Sequence, residues 1–406
     1  MLSTQRKRKT TRPMDKLFHN SRKPEAEHGA TPTLARQMNI REVVKLLQRN
    51  PPLTRAEITR RTGISAPTMS KLFVQLEHEG IIHEIKSNPP GPGRPSKCYT
   101  LSGRKVQVFV AEIGVKTCRI FTAIPSLELN KIEEREFATP YSYPEMLLQF
   151  RQFIETRRDS KIRFLGLGLS VPGLIDGNRQ TVVFCPNIRY LDGHTPAPDM
   201  VAGFALPTVT VQEEHALCLA EKALGQIGGI NNFLVVDVSE GLGVGIFANG
   251  ALVVGEGGFA GELGHIPMGD PTRLCGCGRY GCLEASATDT ALLRRIEAGH
   301  GAITMADLIR KVAAGEMNVD AELETTLDYL GKALAVAINL LNPGLILLYG
   351  RLFEIKPGLL EQLQSRTAHY ALTPSSAHCE IRLATAPRAL GALAAIANQL
   401  VDSIVR

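Results

Sequence analysis

Glu262-Leu263-Gly264-His265 is followed ten residues later by Cys275-Gly276-Cys277-Gly278-Arg279-Tyr280-Gly281-Cys282-Leu283-Glu284. Three thiolates and one imidazole make a closed tetrahedral set suited to structural Zn²⁺, one ion per chain, with no position left open for catalysis. The interleaved glycines permit the tight turns that would bring His265, Cys275, Cys277 and Cys282 to one point. Glu262 and Glu284 bracket the loop. As ionised carboxylates they can accept hydrogen bonds from hydroxyl groups, or they can support the zinc loop from outside its ligands.

At these residues the sequence resembles the ROK family of repressors and sugar kinases, and the resemblance runs through nearly everything after residue 101. It implies an α/β domain with the two-lobed actin-like/hexokinase (ribonuclease H-like) fold. In that family the Glu-x-Gly-His motif and the glutamate after the last cysteine contact sugar hydroxyls; here those are Glu262, His265 and Glu284. Pro186-Asn187 matches the family's sugar-contacting asparagine, and Val171-Pro172-Gly173 its loop near the sugar. His265 would then serve twice, one ring nitrogen on zinc and the other on the ligand.

The family's kinases also carry an Asp-x-Gly-Gly-Thr phosphate cradle, a Gly-Thr-Gly loop and an Asn-Asp base. This chain has Glu112-Ile113-Gly114-Val115-Lys116, Ser239-Glu240-Gly241 and Gln212-Glu213 in their places. A carboxylate in a phosphate loop repels ATP. Glu213 can still receive a sugar hydroxyl, but its extra methylene displaces a base by about 1 Å, enough to cost orders of magnitude in rate. The expectation is a domain with no catalytic residues that binds sugar through Asn187, Glu213, Glu262, His265 and Glu284. A working sugar kinase with a DNA-binding appendage is the alternative.

Upstream, Ile40, Val43, Val44 and Leu47 recur at helical spacing until Asn50-Pro51-Pro52. Thr54 and Glu57 predict a capping box on a second helix, which Gly63 ends. A third helix, starting at Ser65 with Pro67 in its first turn, repeats Met69, Leu72, Phe73 and Leu76 before Gly80. Helices on either side of a glycine turn make a helix-turn-helix. Strands at Ile81–Ile85 and Cys98–Leu101, flanking a Pro/Gly loop, predict a wing. The outer face of the third helix carries Ser70, Lys71 and Gln75; with Ser65 and Thr68 at its start, these are expected to meet phosphates and base edges. For Ser65, simple helix capping is an equal alternative. Arg94, between Gly93 and Pro95, is expected to enter a narrow minor groove, or else to be a solvated charge on a rigid linker. Beyond Leu101, predicted strands at Val106–Val110, Phe164–Leu169, Phe233–Val238 and Leu345–Tyr349 alternate with helices, one of them Leu323–Leu341.

With 406 residues, 44% hydrophobic and 21% charged, the chain can bury two or three cores, and neither a fibrous nor a disorder-dominated reading survives. No apolar run approaches the roughly 20 residues that span a bilayer, so a cytoplasmic protein without membrane insertion is expected. Cysteines outside the cluster lie singly among apolar neighbours, as buried thiols do. The net charge of +6 conceals a split, with 19 Lys/Arg against 8 Asp/Glu in residues 1–100 and an acidic surplus after them. A basic head on an acidic body fits a nucleic-acid-binding module joined to a sensing module. The expected domains are a flexible basic tail at 1–30, a winged helix-turn-helix at 31–101 and a sugar-binding domain at 102–406. The lobe boundary is expected near 210–230, with the C-terminal helix returning to the first lobe. The expected protein is a transcriptional regulator of sugar metabolism or uptake genes, a repressor rather than an activator. It would act on a double-stranded DNA operator as a homodimer or dimer of dimers and answer to a sugar or sugar derivative. Control by a protein regulator is a third reading.

Overall fold

The computed structural model describes residues 32–49, 52–87, 96–103, 105–127, 129–157, 161–224 and 226–403. The expected tail, the Asn50-Pro51 stop and the wing tip with Arg94 lie outside the described residues. The head contains helices α1 (Pro32–Arg49), α2 (Arg55–Thr62) and α3 (Ala66–His78) and strands β1 (Leu53–Thr54), β2 (Ile82–Ser87) and β3 (Ser96–Leu101). Thr54 caps α2 reciprocally: its hydroxyl accepts from the Glu57 amide at 3.2 Å while Glu57 accepts from the Thr54 amide at 2.8 Å. Gly63 ends α2 in the left-handed region, φ +69°, where a side chain would be strained. Ile40, Val43, Leu47, Ile58, Met69, Leu72, Phe73 and Leu76 close into one core, and β3 pairs antiparallel with both β1 and β2.

The body has two lobes. In the first, β4 (Val106–Ile113), β5 (Thr117–Ala123), β6 (Lys131–Ala138), β7 (Arg163–Val171) and β10 (Thr208–Gln212) form a sheet in the order β10-β7-β4-β5-β6. The hairpin β8 (Leu174–Asp176) and β9 (Thr181–Phe184) and the helices α4 (Tyr143–Glu155) and α5 (Pro196–Met200) accompany it. Helix α6 (Glu213–Leu224) follows β10 directly and leads to the second lobe. There β11 (Phe233–Asp237), β12 (Gly243–Ala248), β13 (Ala251–Val253), β14 (Leu345–Tyr349) and β15 (Glu380–Leu383) form a sheet in the order β13-β12-β11-β14-β15. Its helices are α7 (Glu284–Ala287), α8 (Asp289–His300), α9 (Met305–Ala313), α10 (Asp320–Leu341), α11 (Leu359–Tyr370) and α12 (Thr373–Ser376). Strand β7 runs parallel to both β4 and β10, and β11 runs parallel to β14 and antiparallel to β12; both are central strands buried on both faces, which is why they read as unbroken apolar runs. Helix α10 stops at Asn342, φ +44°, before Pro343.

The last helix, α13 (Ala389–Ser403), crosses back to pack on β4, β7 and β10 of the first lobe and along α6. Small residues make that fit. A Cβ at Gly391 would lie 2.1 Å from the Ala216 carbonyl oxygen, and one at Gly168 would lie 2.3 Å from that of Ala392. Backbone cannot yield as a flexible side chain can, so Gly391→Ala should lower the unfolding free energy by about 1–3 kcal/mol, the usual cost of overpacking. A urea titration checks this, and an unchanged midpoint would mean that α6 and α13 are loosely apposed.

Candidate functional site

Between the lobes lies a cleft of about 1440 Å³. At one end the 3₁₀ turn Leu263–His265 and the loop before α7 bring His265, Cys275, Cys277 and Cys282 together, with their donor atoms all within 4.8 Å of one another. Gly264 permits the turn, since a Cβ there would lie 2.1 Å from the Leu242 carbonyl oxygen. The Cys277–Cys282 sulfur separation and the distance from Cys275 Sγ to His265 Nδ1 are both 3.7 Å. A tetrahedron with bonds of about 2.3 Å has edges of roughly 3.8 Å, so the four donors fit a Zn²⁺ ion. Burial pushes the Cys275 thiol up, so a metal must displace its proton on binding.

His265 turns Nδ1 to the thiols and Nε2 toward Glu262, 3.6 Å away. Glu262 accepts from the side-chain amide of Gln212 at 3.0 Å, and burial raises its pKa against the opposing pull of His265 and Gln212. Glu284 opens α7; one oxygen accepts from the Leu242 amide at 3.0 Å and the other lies 3.4 Å from Cys275 Sγ. Asn187 lines the same end of the cleft, beside Gly276 of the metal loop. Four of the five expected sugar contacts thus share one end, with carboxylates and an amide able to bind hydroxyls from several sides.

The fifth, Glu213, is committed elsewhere. It begins α6, and its carboxylate receives Arg388 Nη1 at 2.5 Å; the same nitrogen reaches Asp237 at 2.5 Å, and Nη2 donates to the Ser239 hydroxyl at 2.9 Å. Burial opposes the charge on Arg388, but Asp237 and Glu213 outweigh it and raise its pKa. Glu213 keeps an edge open to the cleft while protein encloses it on its other sides. Burial, then Asp237, push it up to about 7 against the pull of Arg388. Burial and Glu213 push the adjacent Glu214 up to about 8. Sequence reasoning missed Arg388. The available signal was a lone arginine in the apolar, alanine-rich stretch from Ala384 to Ala397.

Lys116 and Glu240, expected from the sequence to stand in place of kinase phosphate-loop residues, pair with each other at 2.7 Å, joining the β4–β5 turn of the first lobe to the β11–β12 loop of the second. Gly243 and Gly245, whose Cβ atoms would lie 2.2 and 2.3 Å from Glu214 oxygens, make room for α6.

On the head, Ser65, Ser70 and Lys71 are exposed and Thr68 is half-buried. The Ser65 hydroxyl bonds that of Thr68 at 2.9 Å and makes no side-chain cap to the backbone. Gln75 is not free as its helical position suggested. It donates to Glu79 one turn on at 2.7 Å and accepts from Arg36 of α1 at 3.1 and 2.5 Å, the latter a contact between helices that periodicity along α3 cannot reveal.

Residues 111–399 match the model of the ROK family, and residues 39–83 match a winged helix-turn-helix DNA-binding model. The xylose repressor of Bacillus spizizenii is 27% identical over 359 residues, covering 86% of this chain and 93% of its own length. A crystal structure of a ROK family transcriptional regulator, a homologue of the Escherichia coli MLC protein, superposes with a TM-score of 0.74 at 23% identity, covering 91% of this chain and 98% of that one. The ROK hexokinase of Thermus thermophilus superposes with a TM-score of 0.58 at 25% identity, covering 71% of this chain and 96% of that one. These likenesses fit the two-lobed fold and the head described above.

The metal loop should carry one zinc per chain by elemental analysis, and Cys277→Ser should lose the ion and melt lower, since a structural metal contributes folding energy directly. Full zinc content in that variant would refute the ligand set. A second expectation concerns pH. A carboxyl whose folded pKa is raised stabilises the fold below its unfolded pKa, and that stability is lost as pH rises through the folded value. For Glu214 the loss falls between the ordinary carboxylate range and about pH 8. Glu214→Gln should therefore flatten the decline in the urea midpoint across that window, whereas curves parallel to the parent's would exclude this origin.

Proposed function

The chain belongs to the ROK family, and from that membership we propose that it is a transcriptional repressor whose hold on a double-stranded DNA operator answers to an unphosphorylated sugar in the cleft. The observation carrying this reading is the Lys116–Glu240 pair. Two residues that each break a phosphate-binding loop complement each other across the cleft, so protein charges join the lobes where a nucleotide's phosphates would sit in a kinase. The end holding Asn187, Glu262, His265 and Glu284 stays available to a polyol.

Charge narrows the ligand. Of the cations lining the cleft, Lys116 is paired with Glu240, Arg119 with Glu136, Arg388 with Glu213 and Asp237, and Arg351 with Glu354. Arg279 sits exposed on the metal loop, where water and salt screen it. Burial already raises the pKa of Glu112, Glu213, Glu214 and Glu262. A phosphate dianion would add to this surplus, whereas hydroxyl groups donate to it. The relative named as a xylose repressor supports a simple sugar as effector. On the head, Ser65, Thr68, Ser70 and Lys71 offer the surface for phosphates and base edges. A dimer would present two such helices to two half-sites.

The test uses the full chain, an operator selected from random duplex DNA, and D-xylose, D-glucose and N-acetyl-D-glucosamine beside their phosphate esters. At least one free sugar should raise the melting temperature and change operator affinity, its phosphate ester should do neither, and no sugar should drive ADP release from ATP. Turnover at about 1 s⁻¹ or above, a common enzymatic rate, would instead establish a kinase. A protein indifferent to the whole panel would favour control by a protein partner.

A further inference from the structure

Gln48, in the last turn of α1, is 2% exposed and lies where the head meets the body. Its side-chain amide donates to the Pro125 carbonyl and to the Ala397 carbonyl of α13, each at 3.1 Å, and its own backbone carbonyl accepts from the Leu127 amide at 3.0 Å. Both amide hydrogens of a head residue are thus committed to main chain of the body. A buried amide so placed is a specific joint, because losing it strands carbonyls that water cannot readily reach.

The helix that Gln48 grips begins one residue after Arg388. Ala397 lies nine residues further on, about 14 Å along the axis at the α-helical rise. Between these ends α13 touches α6 at Gly391 and Ala216 and touches β7 at Gly168, too closely for the helix to tilt alone. Helix α6 begins with Glu213, the acceptor of Arg388. One end of this paired unit therefore stands in the cleft, and the other meets the DNA-binding head. Within the head, Arg36 at the far end of α1 holds Gln75 of α3, so α1 bears on the helix that carries Lys71.

We propose that Gln48 is the positioning residue through which occupancy of the cleft sets the orientation of the DNA-binding head, with α13 as the rigid element between them. The proposal rests on the sugar-effector reading above. A sugar hydroxyl that donates to Glu213 competes with Arg388 for that carboxylate and shifts the guanidinium toward Asp237 of the second lobe. The start of α13 follows it together with α6 and the sheet on which both pack, and Gln48, bonded to Ala397 and Pro125 of that unit, carries the displacement into α1. An effector changes DNA affinity only if its contacts differ between two arrangements, and the divided pairing of Arg388 supplies such a difference.

The experiment compares the full-length parent with Gln48→Leu, which keeps side-chain bulk and removes the donor. Melting shifts and operator titrations are recorded with and without the panel sugar that binds best. The parent should show a sugar-dependent change in operator affinity of about 5–150-fold, the usual range for coupled sites. Gln48→Leu should bind the sugar within about twofold of the parent yet change operator affinity less than about twofold when it does. An undiminished sugar response in this variant would overturn the proposal. Should Gln48→Leu fail to fold or to hold DNA, amide exchange on the parent decides. Sugar should alter exchange in residues 41–49 and 389–400 together, and a change confined to the cleft loops would count against the coupling. A parent that binds sugar but never alters its operator affinity also defeats it. A parent that binds no sugar removes the effector reading itself.

Discussion

A half-buried guanidinium shared between two carboxylates draws both toward it, and being partly withdrawn from solvent the pairing is screened less than one at the open surface. Arg388 imposes that constraint on the whole body. Glu213 belongs to the start of α6 and Asp237 to the end of β11, so keeping the charge satisfied fixes where the lobes meet. The Ser239 hydroxyl completes the set. Helix α13 must then start at the floor of the cleft, and the glycines facing it on β7 and within its own first turn follow from that placement, since a bulkier helix could not lie so close to the sheet and to α6.

Around this fixed point the cleft is divided chemically. At the metal end, donors for the ion and acceptors for hydroxyls come from the same short stretch of chain. His265 faces both ways, and Glu284 touches Cys275 while holding the Leu242 amide. Loop geometry and ligand geometry are therefore set together, as groups just outside a metal's ligands commonly set its site. Elsewhere in the cleft, in the two loops that the family resemblance aligns with kinase phosphate loops, a cation and an anion satisfy each other. A volume of about 1440 Å³ exceeds the roughly 300–1,000 Å³ of an ordinary small-molecule site, so a single sugar fills only part of it, and the chain's own charges occupy part of the rest.

Much of this was legible in the sequence where a feature is local. The Thr54–Glu57 box, the left-handed Gly63, the apolar stripe of α3 and the spacing of His265, Cys275, Cys277 and Cys282 each depend on residues close in the chain, so periodicity and residue type suffice. Glu262, Glu284 and Asn187 were reached through resemblance, and all three lie at one end of the cleft. What escaped was long-range. Arg388 meets Glu213 and Asp237 across more than a hundred residues, Gln48 meets Ala397 across most of the chain, and Gln75 is drawn to Arg36 on another helix. No local pattern encodes such partners. Lys116 and Glu240 were each read as a loss of phosphate binding. Their mutual attraction emerges only when the two lobes are brought face to face.

The two links between the lobes differ in strength, and that difference suits a sensor. Arg388 is half-buried and shared between Glu213 and Asp237, so the floor of the cleft is held more firmly than its rim. The Lys116 side chain is 77% exposed, and an exposed pair of this kind contributes roughly 1 kcal/mol or less. The lobes are therefore joined more firmly at the floor of the cleft and only lightly fastened toward solvent. A sugar that forms a few hydrogen bonds in one arrangement and loses some in the other can shift such a balance, whereas it could not shift one held by a nucleotide's phosphates and metal. If the cleft takes a sugar as proposed, the ligand's modest binding energy has only this exposed pair to work against at the rim, and the more firmly held floor carries its effect toward α13.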